Sequence, residues 1–383
     1  MKTYFITGAT GAVGAALVPR LLKDEQTQVR LLIRARDAHH LQERLETLMD
    51  FWEIPPEDQG TRSRVTGLQG DVSLPRFGLN GAEYEALAKE CTHIIHSAGN
   101  VRMNLPLEEA RKSAVDSVKH IVELAHRCQE QGNLFKVEIV STIGVGGRMK
   151  GEVPERWIHE EREFHNTYER AKAEAEGIIE EEVKKGLPAT VHRPSMVVGD
   201  SQSGKIIHFQ IFYHLCEFLS GRRTLGVLPN VRGTKLDIIP SDYVASALAW
   251  SSTEKSTIGK VLHLCSGPQG AIDLMDLMDK VREVFQAQGV ALPKTKTIPV
   301  GLFKAAVPGI ALFVPSKARR AMKALPVFFN YLAEEQSFQD QKTAAFLRAA
   351  GLPFLAVIAY LETVLLAYLR YQKSDSGDSA LGQ

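Results

Sequence analysis

The 383-residue chain is predicted to fold as an α/β protein, a doubly wound parallel sheet with a smaller, mostly helical C-terminal lobe. Three observations predict this. Short apolar runs alternate with helix-length amphipathic stretches through about the first 200 residues, the pattern of strands joined by crossover helices. The first run leads into three glycines spaced three apart, Gly8, Gly11 and Gly14, just before a helical stretch. Beyond about residue 267 the alternation stops and apolar helical sequence takes over.

Each element follows in order. TYFITGA is a buried strand, with an amphipathic helix at about 12–23 after the glycine turn. VRLLIRA is the second strand and DAHHLQERLETLMDFW the helix after it. RVTGLQGDV is the third strand, after a loop around IPPEDQG, and THIIHSAG is the fourth. EEARKSAVDSVKHIVELAHRCQ makes a long helix and FKVEIVSTIG a fifth strand. A helix holding NTYERAKAEAE precedes LPATVHRPSMVVG, the sixth. LDIIPSDYVASALAW and KVLHLCSG complete the same domain, which is drawn as residues 1–203 and 233–266. Residues 204–232 and 267–372 form the second lobe, and the small polar stretch 373–383 is a flexible tail.

The bulk numbers narrow the function. An apolar fraction of 44% and a charged fraction of 24% are those of a globular protein. A net charge of +1 supplies no electrostatic reason to bind nucleic acid. The four cysteines are scattered, with no paired spacing and no histidine set of metal type, so a reducing compartment and no metal are expected. The N-terminus lacks the apolar core of a signal peptide, and no uncharged apolar run reaches about 18 residues, so the expected location is cytoplasmic.

TGATGAVG carries the first chemistry. Glycine there permits a tight turn and a close backbone approach to pyrophosphate, whose charge suits the helix N-terminus. The turn residues Thr7, Gly8, Thr10, Gly11, Ala12, Val13 and Gly14 are therefore candidate dinucleotide contacts. Where an NAD site usually puts an acid, the second strand ends in IRARD. Arg34 and Arg36 suit a 2′-phosphate, which favours NADPH, although two solvated arginines would look the same. Asp71 and Val72 of GDV stand at the adenine end, and Ser97, Ala98 and Gly99 of HSAGN leave room for the cofactor at the fourth strand end.

Tyr168 and Lys172 stand four apart at the start of a charged helix, so they share a face. One reading is an aromatic anchor beside a solvated lysine. The other is an ammonium that lowers the phenol's pKa, making Tyr168 a general acid. The spacing alone does not choose.

Taken together, TGATGAVG, GDV, HSAG, VSTIGVGG, YERAK and HRPSMVVG occur in the order of the extended short-chain dehydrogenase/reductases, over about residues 1–265, and the chain resembles that family. IRARD, HSAGNV, RPSMVVGDSQSG and LDIIPSDYVA look most like its fatty acyl-CoA and thioester reductase branch. The resemblance implies a Rossmann sheet and NADPH, with Tyr168 as proton donor and Lys172 holding the nicotinamide ribose. It implies that Thr142, rather than Ser141, orients the substrate carbonyl, and that Pro194 and Ser195 lie beside the nicotinamide. AVDSV departs from the pattern, with Ala114 where many relatives have Asn, so a proton relay through that position is not expected.

The implied reaction is NADPH-dependent reduction of a long-chain acyl thioester, on CoA or an acyl carrier protein, to aldehyde or alcohol. Reduction of another hydrophobic ketone, aldehyde or sterol is the alternative; a sugar-nucleotide epimerase or dehydratase and a non-catalytic dinucleotide sensor stand behind it. PVGLFKAAVPGIALFV with the basic SKARRAMK, and LPFLAVIAYLETVLLAYLRYQK, could wall an acyl channel, rest on a membrane surface or pack as core. Arg222 and Arg223 in SGRRTLG could hold a pantetheine or CoA phosphate, or be solvated.

Overall fold

A computed structural model describes residues 1–303, 305, 336–354 and 356–378. They form two compact units. The first comprises Met1–Ser195, Ser241–Cys265 and Phe338–Phe354; the second comprises the described residues of Met196–Pro240, Ser266–Ser337 and Leu355–Gln383. Most of PVGLFKAAVPGIALFV and all of SKARRAMK lie outside the described residues.

The first unit is built on a seven-stranded sheet of β1 (Lys2–Thr7), β2 (Thr27–Ile33), β3 (Val65–Gln69), β4 (His93–His96), β5 (Lys136–Val140), β6 (Ala189–Pro194) and β7 (Val261–Leu264). Its order is β7-β6-β5-β4-β1-β2-β3, and every pairing is parallel. Strands covered on both faces are mostly apolar along their length, and β1 is inside throughout: every residue from Thr3 to Thr7 is buried. Phe5 belongs to a core shared with helices α3 (Gly81–Glu90), α4 (Ser117–Glu130) and α5 (Thr167–Lys184). Tyr4 points the other way, its hydroxyl 3.1 Å from Ser252 on α6 (Ser241–Thr253), the helix that packs on α1 (Ala12–Leu21). The sheet is thus doubly wound, and strand order reverses between β1 and β4, the crevice where such sheets take ligands.

The boundaries differ from expectation: residues 196–203, 233–240 and 266, expected in the first domain, belong to the second unit. LPATVHRPSMVVG is not one strand: Ser195 N–H still donates to Leu264 O, at 3.0 Å, but Met196–Val198 then pairs with Ile238–Pro240 inside the second unit. Residues 338–354, expected in the second lobe, belong to the first unit. There Glu155 accepts from the Lys342 and Thr343 N–H groups, at 2.8 and 3.1 Å, capping the helix Gln341–Ala349, here α7.

In the second unit, helices Ile211–Leu219, Leu274–Ala287 and Val357–Asp378 are joined by three short strand pairs. The last helix runs into the stretch expected to be a tail. Its buried face carries Tyr360, Leu361, Val364, Leu365 and Tyr368, spacings that keep one stripe inward. No helix among the described residues is long and apolar enough to cross a membrane.

Candidate active site

The chain leaves β1 at Thr7 and turns through Gly8, whose φ of +80° suits glycine. A Cβ on Gly8 would lie 2.5 Å from Ala98 N, and one on Gly14 would lie 2.2 Å from Gly8 O. Both glycines are therefore required by close backbone approach, one to the loop after β4 and one to the turn itself. That loop is fastened to Thr7: Ser97 Oγ donates to Thr7 O (2.8 Å), and Ala98 N–H to Thr7 Oγ1 (3.3 Å). Thr7 Oγ1 also meets His96 Nδ1 at 2.8 Å, and burial holds that imidazole down at about 3, so it is neutral. Gly11 caps α1, whose first turn carries no acid, leaving Ala12 and Val13 at a helix N-terminus open to an anion.

At the end of β2, Arg34 and Arg36 are both exposed. Asp37 is committed to capping helix α2 (Ala38–Phe51), accepting from His40 N–H at 2.8 Å. A third guanidinium joins them, which the sequence reading missed. Arg44 donates to Arg34 O at 2.5 Å, and burial and the Arg34 charge lower its pKa. Among the described residues none of the three arginines has a carboxylate partner. The signal lay in helical spacing: α2 begins just past the strand end, so a residue two turns into it can return beside Arg34. Asp71 folds its carboxylate onto Ser73, accepting from its N–H at 2.9 Å and its hydroxyl at 2.7 Å. It braces the turn after β3, and Val72 O lies 3.0 Å from His120 Nδ1.

Tyr168 and Lys172 lie in the first turns of α5, where the Asn166 side chain caps the helix by accepting from Glu169 N–H at 3.0 Å. Thr142 follows β5. Its hydroxyl accepts from Gly144 N–H at 3.2 Å, and it lies near enough to the Tyr168 phenol to act against the rise in its pKa. Lys172 is buried, donates to Val140 O at 2.9 Å, and would stand 3.4 Å from a Cβ on Gly99. Thr142, Tyr168, Lys172 and the Gly99 loop therefore converge beside the glycine turn.

The expected lowering of the phenol is not what this geometry produces. Burial dominates and pushes Tyr168 up to about 12, opposed by the Thr142 hydroxyl. Burial also pulls Lys172 down to about 8, opposed by Glu176. Tyr168 is thus fully protonated at neutral pH, the state a proton donor requires.

Ala114 sits in a π-turn over Lys112–Asp116 and packs into the apolar core, so it offers no relay group. Neighbouring Ser113 instead accepts from Asn100 N–H at 2.8 Å. Pro194 ends β6, and the hydroxyls of Ser195 and Ser141, both at strand ends, are buried without a partner. With the glycine cradle, these orphaned hydroxyls fit a dinucleotide. Among the described residues no group of His, Cys, Asp or Glu is arranged to hold a metal. In the second unit Arg222 and Arg223 stand 3.9 and 3.8 Å from the buried Glu217 carboxylate.

The fold and site define an NAD(P)-binding oxidoreductase. The chain belongs to the NAD-binding family described as Male sterility protein, matched over residues 6–248, and is of the extended short-chain dehydrogenase/reductase type. It is 28% identical over 274 residues to nonribosomal peptide synthetase asaC of Aspergillus flavus, covering 68% of this chain and 26% of that one. It is 27% identical over 282 residues to fatty acyl-CoA reductase wat of Drosophila melanogaster, covering 66% and 54%. The chain therefore spans only part of the curated relatives it matches. The terminal R domain of the myxalamid PKS-NRPS pathway has the same fold, with a TM-score of 0.79 at 24% identity over 97% of this chain and 91% of that one.

Proposed function

We propose that the chain is an NADPH-dependent reductase of a long-chain acyl thioester, carried on CoA or an acyl carrier protein. The observation that carries this is the convergence of a protonated Tyr168, Thr142 and Lys172 beside the Gly8–Gly14 cradle. Relatives described as fatty acyl-CoA reductase and nonribosomal peptide synthetase support the thioester, and the arginines at the end of β2 support the 2′-phosphate.

The turn and the amides of Ala12 and Val13 would hold the pyrophosphate, and Arg34, Arg36 and Arg44 the 2′-phosphate. Lys172 would hold the nicotinamide ribose, with Pro194 and Ser195 against the ring. The cofactor supplies a hydride. Thr142 and Tyr168 hydrogen-bond the substrate carbonyl, and Tyr168 gives its proton to the oxygen as charge develops there. The resulting thiohemiacetal loses its thiol to leave an aldehyde. Accepting from Gly144 N–H uses one lone pair of Thr142 and leaves its proton free to donate to the substrate oxygen.

Following NADPH oxidation and free-thiol release together, over acyl-CoAs of increasing length, tests the reading. Stoichiometric thiol release is expected. Oxidation without thiol, on ketones or aldehydes alone, would replace it with simple carbonyl reduction.

A further inference from the structure

A buried polar chain runs from Lys172 to residues far along the sequence. Glu176 lies one helical turn beyond Lys172 on α5. Arg193, fully buried on β6 immediately before Pro194, clamps it with two nitrogens: Nε donates to Oε1 at 3.0 Å and Nη2 to Oε2 at 2.6 Å. Arg193 Nη1 is 3.1 Å from Nε2 of the buried His263 on β7. Nδ1 of that ring is 2.7 Å from the Gln339 carbonyl. A carbonyl only accepts, so Nδ1 carries the proton and Nε2 accepts from Arg193. Burial keeps the ring neutral, holding His263 at about 3. Around Gln339 the chain is fixed twice more: His263 N–H donates to Thr343 Oγ1 at 3.0 Å, and Glu155 accepts from Thr343 N–H at 3.1 Å.

Every donor and acceptor in this series has one possible direction. Buried ion pairs are weak sources of stability, whereas this pair links the helix carrying Lys172 to the strand end beside the nicotinamide site. We propose that Glu176 is the positioning residue of the Lys172 ammonium, set in place by segment 338–354 through His263 and Arg193. The inference rests on Lys172 being part of the active site. The groups facing Lys172 are Tyr168 and Glu176 on its own helix, His96 from β4 and the Val140 carbonyl from β5. His96 is neutral and Tyr168 protonated, so Glu176 is the carboxylate whose field opposes the loss of the lysine's proton, acting across space while Arg193 holds it in place and offsets part of its charge.

Competitive labelling of Lys172 with acetic anhydride across pH, read by mass spectrometry on the full chain, measures this without any substrate. The wild-type midpoint is expected near 8. Glu176→Gln is expected to lower it by about one pH unit, the scale of a nearby charge in a partly screened site. His263→Leu, which leaves Arg193 Nη1 only the Pro154 carbonyl at 3.4 Å, is expected to move it the same way. His263→Gln keeps one acceptor and one donor and should titrate like wild type. The alkaline limb of kcat/KM for NADPH-dependent reduction of palmitoyl-CoA should move in parallel.

Wild-type midpoints in both Glu176→Gln and His263→Leu would overturn the proposal. So would a midpoint displaced in His263→Gln, the variant that retains both hydrogen bonds and best preserves folding. Tyr168→Phe separates the two readings. Full turnover in that variant would remove the active-site assignment while leaving the labelling result to stand by itself.

Discussion

Burial acts on Tyr168 and Lys172 with opposite sign, raising the phenol to about 12 and lowering the ammonium to about 8. The lysine shift carries a cost to the cofactor-free protein. Its folded pKa lies below the unfolded 10.5, so the unfolded chain binds more protons between about pH 8 and 10.5. Stability therefore rises with pH across that window, and below pH 8 the full penalty, about 3 kcal/mol, applies. Lys172→Met should accordingly raise the Tm of the cofactor-free protein at pH 7, raise it less at pH 10, and remove activity. A calorimetric scan giving the same or a lower Tm at pH 7 would contradict this. Tyr168→Phe removes one oxygen and little volume, so Tm should hold while kcat falls about 10²–10⁴-fold, the usual share of general acid catalysis. Wild-type kcat in that variant would return Tyr168 to a packing role. Arg44 is expected to matter as much as Arg34. Replacing either by Ala should weaken NADPH binding by about 1.5–3 kcal/mol and leave NADH nearly unchanged, because hydrogen bonds to a charged group are of that size. Isothermal titration with both cofactors decides it, and equal losses for the two would place the arginines elsewhere than at a 2′-phosphate.

Two glycines show how far meaning depends on the element that holds them. Gly14 sits in α1 against Gly8 O, at 2.2 Å for a hypothetical Cβ, so Gly14→Ala must push the helix off the turn. NADPH and NADH binding should both be lost. Gly177 lies exposed in the middle of α5, with nothing within 4 Å of an added Cβ. Gly177→Ala should therefore stabilise the protein by about 0.5–1 kcal/mol, the helix-propensity difference. Cofactor titration reads the first and denaturant titration the second, and destabilisation by Gly177→Ala would mean α5 is held by something other than its own backbone. The same contrast explains what was legible in the sequence. The seven sheet strands were legible because buried parallel strands are mostly apolar and here alternate with helix-length stretches, and the glycine turn because both neighbours are regular elements. Arg44 was not, since a helix two turns past a strand end presents a polar face like any other until its direction is known. Nor was the break at Ser195, where MVV reads as a continuation of β6 but pairs with Ile238–Pro240. Segment 338–354 was hidden for a related reason: its attachment to Glu155 and His263 runs through backbone groups and one threonine hydroxyl, which leave no mark in composition.

For the whole molecule, the substrate prediction is a dependence on chain length. If the apolar helices enclose an acyl chain, each buried methylene contributes roughly 0.8 kcal/mol, or about fourfold in kcat/KM, until the channel is full. Assays over acyl-CoAs of increasing length would show a rise and then a plateau; a flat profile or a short-chain preference would mean another kind of pocket.

The return of residues 338–354 to the first unit also governs how that unit can be made. Its last sheet strand ends at Leu264, yet the helix N-terminus that Glu155 caps and the acceptor for the His263 ring are supplied by residues synthesised much later. During translation the sheet can assemble while His263, Arg193 and Glu155 still lack their final partners. Completion waits on a contact of high sequence separation, which is slow to form and leaves the strand at the sheet edge exposed meanwhile. The nascent chain is thus most vulnerable to misassembly between the emergence of β7 and that of Thr343.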